Sequence, residues 1–127
     1  MDSKLSLILA VAASFVATAV QAQSGDAARG ERVFNQQCKV CHKIEAGAGN
    51  TIGPNLHGVA GHKAGAVEGF SYSETMLKSG LVWDDGNLAK YLESPSKVVP
   101  NGKMTYAGLK KQDQVDDVIA YLKKASQ

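Results

Sequence analysis

Three residues within five positions carry the most distinctive chemistry of this chain: Cys38, Cys41 and His42, in the run Cys38-Lys39-Val40-Cys41-His42. Two thiols and an imidazole at C-x-x-C-H spacing form the attachment signature of a c-type haem. On a helix these positions are i, i+3 and i+4, so the spacing predicts one helical face carrying both sulfurs and the ring. Thioether bonds to the two haem vinyl groups would then hold the macrocycle where the His42 nitrogen reaches iron.

Other chemistries share some of these residues. A disulfide between Cys38 and Cys41 would close too small a loop to contribute much. A thioredoxin-like C-x-x-C needs a βαβ context, which the surrounding pattern lacks. The spacing Cys38-x2-Cys41-x15-His57-x4-His62 fits a two-Cys, two-His zinc site. Zinc, however, leaves His42 unexplained, puts glycine-rich loop where a finger has strand and helix, and gives the last part of the chain no role. Haem is the reading that uses every residue of the motif. It has a second axial position, for which Met76, Met104, His57 and His62 are the candidates. Met76 falls on a helical pattern, where methionine commonly fills core space. Met104 falls in a loop, from which a thioether can approach the far face of the ring.

The elements around the motif are helices and loops. Small and apolar residues at Asp26, Ala27, Gly30, Phe34, Cys38 and Cys41 follow three- and four-residue steps, predicting a first helix with Ser24 as cap and Asp26 at its positive end. Residues 47–69 hold seven glycines and Gly53-Pro54-Asn55, so they read as loop. Ser73 to Ser79 is a short helical candidate stopped by Gly80. Asp84 or Asp85 caps another, with Leu88, Tyr91 and Leu92 on one face, ending before Pro95. Ser94 to Gly108 reads as loop, with Pro95, Pro100 and Asn101-Gly102. Val115, Val118, Ile119 and Leu122 fall at i, i+3, i+4 and i+7, the clearest helical stripe. Asp113, Asp116 and Asp117 lie early in it and Lys123 and Lys124 at its end. The acids read mostly as solvated helix ends, and no run alternates as a strand would.

The start of the chain reads as a targeting segment. Lys4 precedes an apolar run from Leu5 to Val20, and small residues follow at Val20-Gln21-Ala22. This is the layout of a secretory signal peptide cleaved after Ala22, with cleavage after Ala19 as the alternative. The run falls short of the roughly 20 residues that span a bilayer. The expected division is residues 1–22 as cleaved signal and 23–127 as one domain exported to the periplasm. Of the 127 residues, 14 are basic and 12 acidic, a net charge of +2. Lys4 and Asp2 leave together, so that balance survives cleavage. It argues against a nucleic-acid binder, and two cysteines argue against a disulfide-dense scaffold. All 13 glycines stay in the mature part, while bulky apolar residues are few. A core so composed needs a non-protein filler.

With Cys38–His42, Gly53-Pro54-Asn55-Leu56, Tyr91-Leu92, Pro95 and Lys103-Met104 in this order, residues 25–125 resemble the class I c-type cytochromes, mitochondrial and soluble bacterial alike. The resemblance implies an all-α fold whose first and last helices cross, with Gly30 allowing close approach and Phe34 packing on Tyr121. One haem c would be attached through Cys38 and Cys41, with His42 and Met104 as its iron ligands. It further implies that Pro54 orients His42 through its carbonyl, that Tyr91 lies near the Met104 sulfur, and that Trp83 and Tyr72 hydrogen-bond a haem propionate.

The implied function is that of a soluble, monomeric one-electron carrier of a bacterial respiratory or photosynthetic chain, not an enzyme. A haem sensor or peroxidase-like enzyme with an open sixth position is the alternative. Lys39, Lys43, Lys97, Lys103, Lys110 and Lys111 flank the haem-binding segments and would steer the protein to acidic surfaces of a cytochrome c reductase, an oxidase, a periplasmic dehydrogenase or a reaction centre. Membranes would be met only through such partners.

The sequence departs from the family pattern in several places. His62 stands where the family commonly has Arg beside the propionates, implying a potential that changes between about pH 5 and 8. Gly102 replaces a usual Thr, Met76 takes a usually polar place, and Gln37, Thr51 and Ser96 stand where lysines are common.

Overall fold

The computed structural model describes residues 25–127; the signal segment expected at residues 1–22 lies outside them. Five helices follow in order: α1 (Ala27–Gln37), α2 (Glu74–Lys78), α3 (Asp85–Glu93), α4 (Pro95–Val98) and α5 (Gln112–Ala125). Among the described residues, β-structure is confined to one isolated bridge between Lys63 and Val82. The fold is all-α, as the hydrophobic stripes require.

The two terminal helices cross. Gly30 of α1 is buried at the crossing, and a Cβ there would lie 1.9 Å from the carbonyl oxygen of Asp117. Phe34 stacks beside Tyr121 with ring centroids 5.3 Å apart. Val115, Val118, Ile119 and Leu122 are all buried, so the α5 stripe faces the core as its period predicts. Leu88 and Leu92 of α3 pack into the same cluster.

Four local expectations are corrected. The cap of α1 is Asp26, whose carboxylate accepts from Arg29 N–H; Ser24 is outside the described residues. The helix stops at Gln37 rather than running through the C-x-x-C-H motif. The amides of Cys38 and Lys39 both donate to Phe34 O, at 2.8 and 2.9 Å, which curls the last turn. The loop expected over 94–108 contains α4, because Pro95 starts a helical turn there instead of only ending one. Finally, Asp117 is no solvated helix end: it is 4% exposed.

The glycine-rich stretch from 38 to 73 is held without regular structure. Trp83 N–H donates to His62 O and Gly61 N–H to Trp83 O, each at 2.8 Å, and Ala64 N–H donates to Leu81 O at 2.8 Å. These bonds pin the loop to the residues preceding α3, leaving an interior space between loop and helices.

Candidate functional site

That interior space is a cavity of about 840 Å³, within the roughly 300–1,000 Å³ usual for ligand sites. Its back wall is the helix crossing, through Phe34, Val118 and Leu122. Trp83, Leu88, Tyr91 and Leu92 close one side. The C-x-x-C-H turn and residues 53–59 form another, and residues 103–106 lie across the front.

Cys38, Cys41 and His42 all line the cavity. They reach it from a turn instead of a helical face: Cys41 and His42 N–H donate to Cys38 O, at 3.0 and 2.9 Å. Both thiols are free. Burial pushes the Cys38 thiol up to about 11, with Cys41 adding to the shift, so it sits there as the neutral form.

His42 is buried, with Nδ1 2.8 Å from Pro54 O. A carbonyl only accepts, so the neutral ring carries its proton on Nδ1 and keeps the Nε2 lone pair for a metal. Burial holds the imidazole below its ordinary pKa, and the Pro54 bond partly offsets this. Gly53 makes the approach possible: a Cβ there would be 2.4 Å from His42 Cε1. Gly53 N–H and the Thr51 hydroxyl both donate to Cys41 O, at 2.8 and 2.7 Å, tying the Pro54 segment to the motif.

Met104 lines the cavity from the front. Tyr91 Oη donates to its sulfur at 3.4 Å, and burial raises the Tyr91 hydroxyl's pKa. Tyr72 also lines the cavity; its hydroxyl accepts from Val67 N–H at 3.0 Å. Trp83 is buried in the wall, its ring 4.9 Å from that of Tyr91. Met76 and Leu88 complete the apolar lining, and exposed His62 lies at the rim.

Among the described residues, no three His, Cys, Asp or Glu side chains converge as metal ligands. The Cys/His spacing that fits zinc is therefore not assembled in space.

The residues present fit a haem. Two thiols, one neutral imidazole with its free nitrogen available and one thioether line a single apolar cavity, and a glycine leaves room for the imidazole. Soft sulfur and imidazole donors suit iron.

The six lysines expected at a docking face are all exposed. Lys103 lines the cavity mouth and donates from Nζ to Ser71 O at 2.6 Å. Lys43 and Lys110 turn to the carbonyls of Ala48 and Ala107, at 3.4 and 2.8 Å. None of the six pairs with an acid among the described residues; the ion pairs there use Arg29, Lys78 and Lys123.

Sequence reasoning missed two contacts at the site. One is Gly53 against the imidazole, signalled only by its place before Pro54. The other joins the Tyr106 hydroxyl to Gln37 Oε1 across the cavity mouth. No local pattern signals a pair 69 positions apart.

Comparison with known proteins identifies relatives of the whole domain. The cytochrome c family model matches residues 27–126. Cytochrome c of Gibberella zeae is 45% identical over 102 residues, covering 80% of this chain and 96% of that protein. Cytochrome c2 of Rhodomicrobium vannielii is 46% identical over 115 residues, 91% of each chain. The solved structure of cytochrome cH from Methylobacterium extorquens superposes with a TM-score of 0.74 at 46% identity, covering 79% of this chain and 99% of that one.

Proposed function

This chain belongs to the cytochrome c family, and from that premise we propose that it is an exported, monomeric one-electron carrier, not an enzyme, working between redox partners of a bacterial respiratory or photosynthetic chain. The observation that carries the reading is the convergence of Cys38, Cys41, His42 and Met104 on one apolar cavity. A haem c held there supplies Fe(III)/Fe(II) chemistry, tuned by its axial ligands.

The chain's own residues do the rest. Cys38 and Cys41 would anchor the group covalently, and His42 and Met104 would be the ligands to its iron. With both ligands supplied from within the chain, no position would be left for a substrate. Pro54 fixes the tautomer and orientation of His42. Tyr91 orients the Met104 sulfur through its hydroxyl, and the buried walls exclude water. Tyr72 and Trp83, both lining the cavity, would offer polar hydrogens to the propionates. Among the described residues, no helix is long and apolar enough to cross a membrane; with the amino-terminal signal pattern, this supports a periplasmic location.

The test is production of the exported holoprotein in a host that attaches haem. Its mass should equal that of the mature chain plus one haem, and metal analysis should find iron and no zinc. The oxidised visible spectrum should show the weak iron–methionine sulfur charge-transfer band, and the reduced protein should bind little CO. Absence of the band with tight CO binding would instead establish an open-site sensor or enzyme.

A further inference from the structure

The segment that brings Met104 to the cavity is unusual in how it is held. Among the described residues, no backbone–backbone hydrogen bond involves residues 103–108. The flanking anchors are Gly102 N–H to Val99 O at 3.2 Å and Leu109 N–H to Leu92 O at 2.8 Å. Between them the strap depends on side chains. Lys103 Nζ bonds Ser71 on one side of the cavity mouth. Tyr106 Oη bonds Gln37 on the other.

These two ties are not equivalent. Lys103 and Ser71 are both exposed, so water competes for that bond and it contributes little. Tyr106 is half-buried and its ring packs against the core cluster. Gln37 is exposed, so water reaches this bond as well; what sets it apart is that the packed ring holds the hydroxyl in place and partly desolvates it. Gln37 ends α1 and immediately precedes Cys38, so it belongs to the rigid side of the cavity. The third tie, Tyr91 to the Met104 sulfur, uses a weak acceptor.

We propose that Tyr106 is a positioning residue for Met104: bonded to Gln37 across the cavity mouth, it holds the strap closed and thereby sets how readily an outside ligand takes the second axial position. The proposal rests on the reading of Met104 as the iron's ligand. A strap open for a small fraction of the time admits a competing ligand in proportion to that fraction. Loss of one net hydrogen bond raises the open fraction by about two- to tenfold.

The experiment is a visible-spectrum titration of the oxidised holoprotein with imidazole at fixed pH and ionic strength. Wild type is compared with Tyr106→Phe, Gln37→Ala and the double variant; Tyr106→Phe keeps the ring and its packing. Each single variant should bind imidazole about two- to tenfold more tightly. The double variant should gain no more than one single variant, because both remove the same bond. Wild-type affinity in Tyr106→Phe, or additive gains in the double variant, would overturn the proposal while leaving Met104 as ligand. A wild-type spectrum without the iron–methionine band would remove the Met104 reading, and this proposal with it.

Discussion

Arg29 on α1 grips Asp117 on α5 with two hydrogen bonds, Nε to Oδ2 at 2.9 Å and a terminal nitrogen to Oδ1 at 3.1 Å. Asp26 N–H adds a third, to Oδ1 at 2.7 Å. One buried carboxylate thus holds both the side chain and the start of α1 at the helix crossing. The Arg29 hydrogen bond holds the Asp117 carboxyl below its ordinary pKa; burial opposes this, and the Asp26 amide and the Arg29 charge reinforce it.

A depressed folded pKa makes the contact a stability term with a defined pH sense. The term is complete above the unfolded carboxylate value, about 3.9, and is lost as pH falls through the lower folded value. Asp117→Asn should therefore lower the melting temperature at pH 7 by a few degrees, and its deficit relative to wild type should shrink below about pH 4. Thermal unfolding followed by far-UV circular dichroism across pH checks this. A deficit independent of pH would show that the carboxylate's charge is not what matters.

Gly30 and Gly47 provide a paired test of what the crossing demands. At Gly30 a Cβ would meet backbone, 1.9 Å from Asp117 O, which no rotamer change relieves. At Gly47 nothing lies within 4 Å, but φ is +73°. Gly30→Ala must push the helices apart and should cost about 1–3 kcal/mol or more. Gly47→Ala should cost only the left-handed backbone penalty, about 1 kcal/mol. Denaturant unfolding of the two holoproteins ranks them, and an equal loss would refute the crossing argument.

The same physics marks what was legible in the sequence. The α5 stripe and an aspartate cap for α3 depend on neighbours three or four positions away; the stripe appears as read, and of the two candidate caps, Asp84 and Asp85, the structure selects Asp84. The site's chemical core was equally legible, because C-x-x-C-H compresses three of its groups into five positions. The end of α1 was not: two amides share Phe34 O, a choice made by the turn beyond the helix. The α4 turn was hidden because proline both stops and starts helices. Asp117 looked like one more acid near a helix start, and only the fold puts Arg29, 88 positions earlier, against it.

Gly53→Ala tests the imidazole's setting directly. The added methyl would lie 2.4 Å from Cε1 and 2.7 Å from Nδ1 of His42, so the ring must leave the position in which Nδ1 bonds Pro54 O. Since groups that orient a ligating histidine commonly control metal affinity or activity by 10–100-fold, the variant should yield far less low-spin holoprotein. Haem content per protein and the visible spectrum report this. Unchanged content and spectrum would show that the Gly53–His42 contact does not position the ligand.

Charge at the cavity mouth gives the last prediction. Lys78 and Lys123 pair with Glu74 and Asp85, whereas Lys39, Lys43, Lys97, Lys103, Lys110 and Lys111 have no acidic partner among the described residues. Backbone hydrogen bonds lower the Glu45 pKa, and Glu45 lies close enough to Lys39 and Lys43 for their charges to lower it further. None of the six is held in an ion pair among the described residues, so their positive field is available to steer an acidic partner. Lys39 and Lys111 separate steering from structure best: Lys103 also ties the strap, and Lys43 and Lys110 bond loop carbonyls. Lys39→Glu with Lys111→Glu should leave the melting temperature and the spectrum at wild-type values. Electron transfer to an acidic redox partner should slow severalfold at low salt, and the gap should close as ionic strength passes about 0.15 M, where charges more than ~8 Å apart are screened. Stopped-flow rates across a salt series measure it. A gap that persists at high salt would mean that the substitutions disturb contact geometry instead of steering. No gap at low salt would remove these two lysines from the docking face.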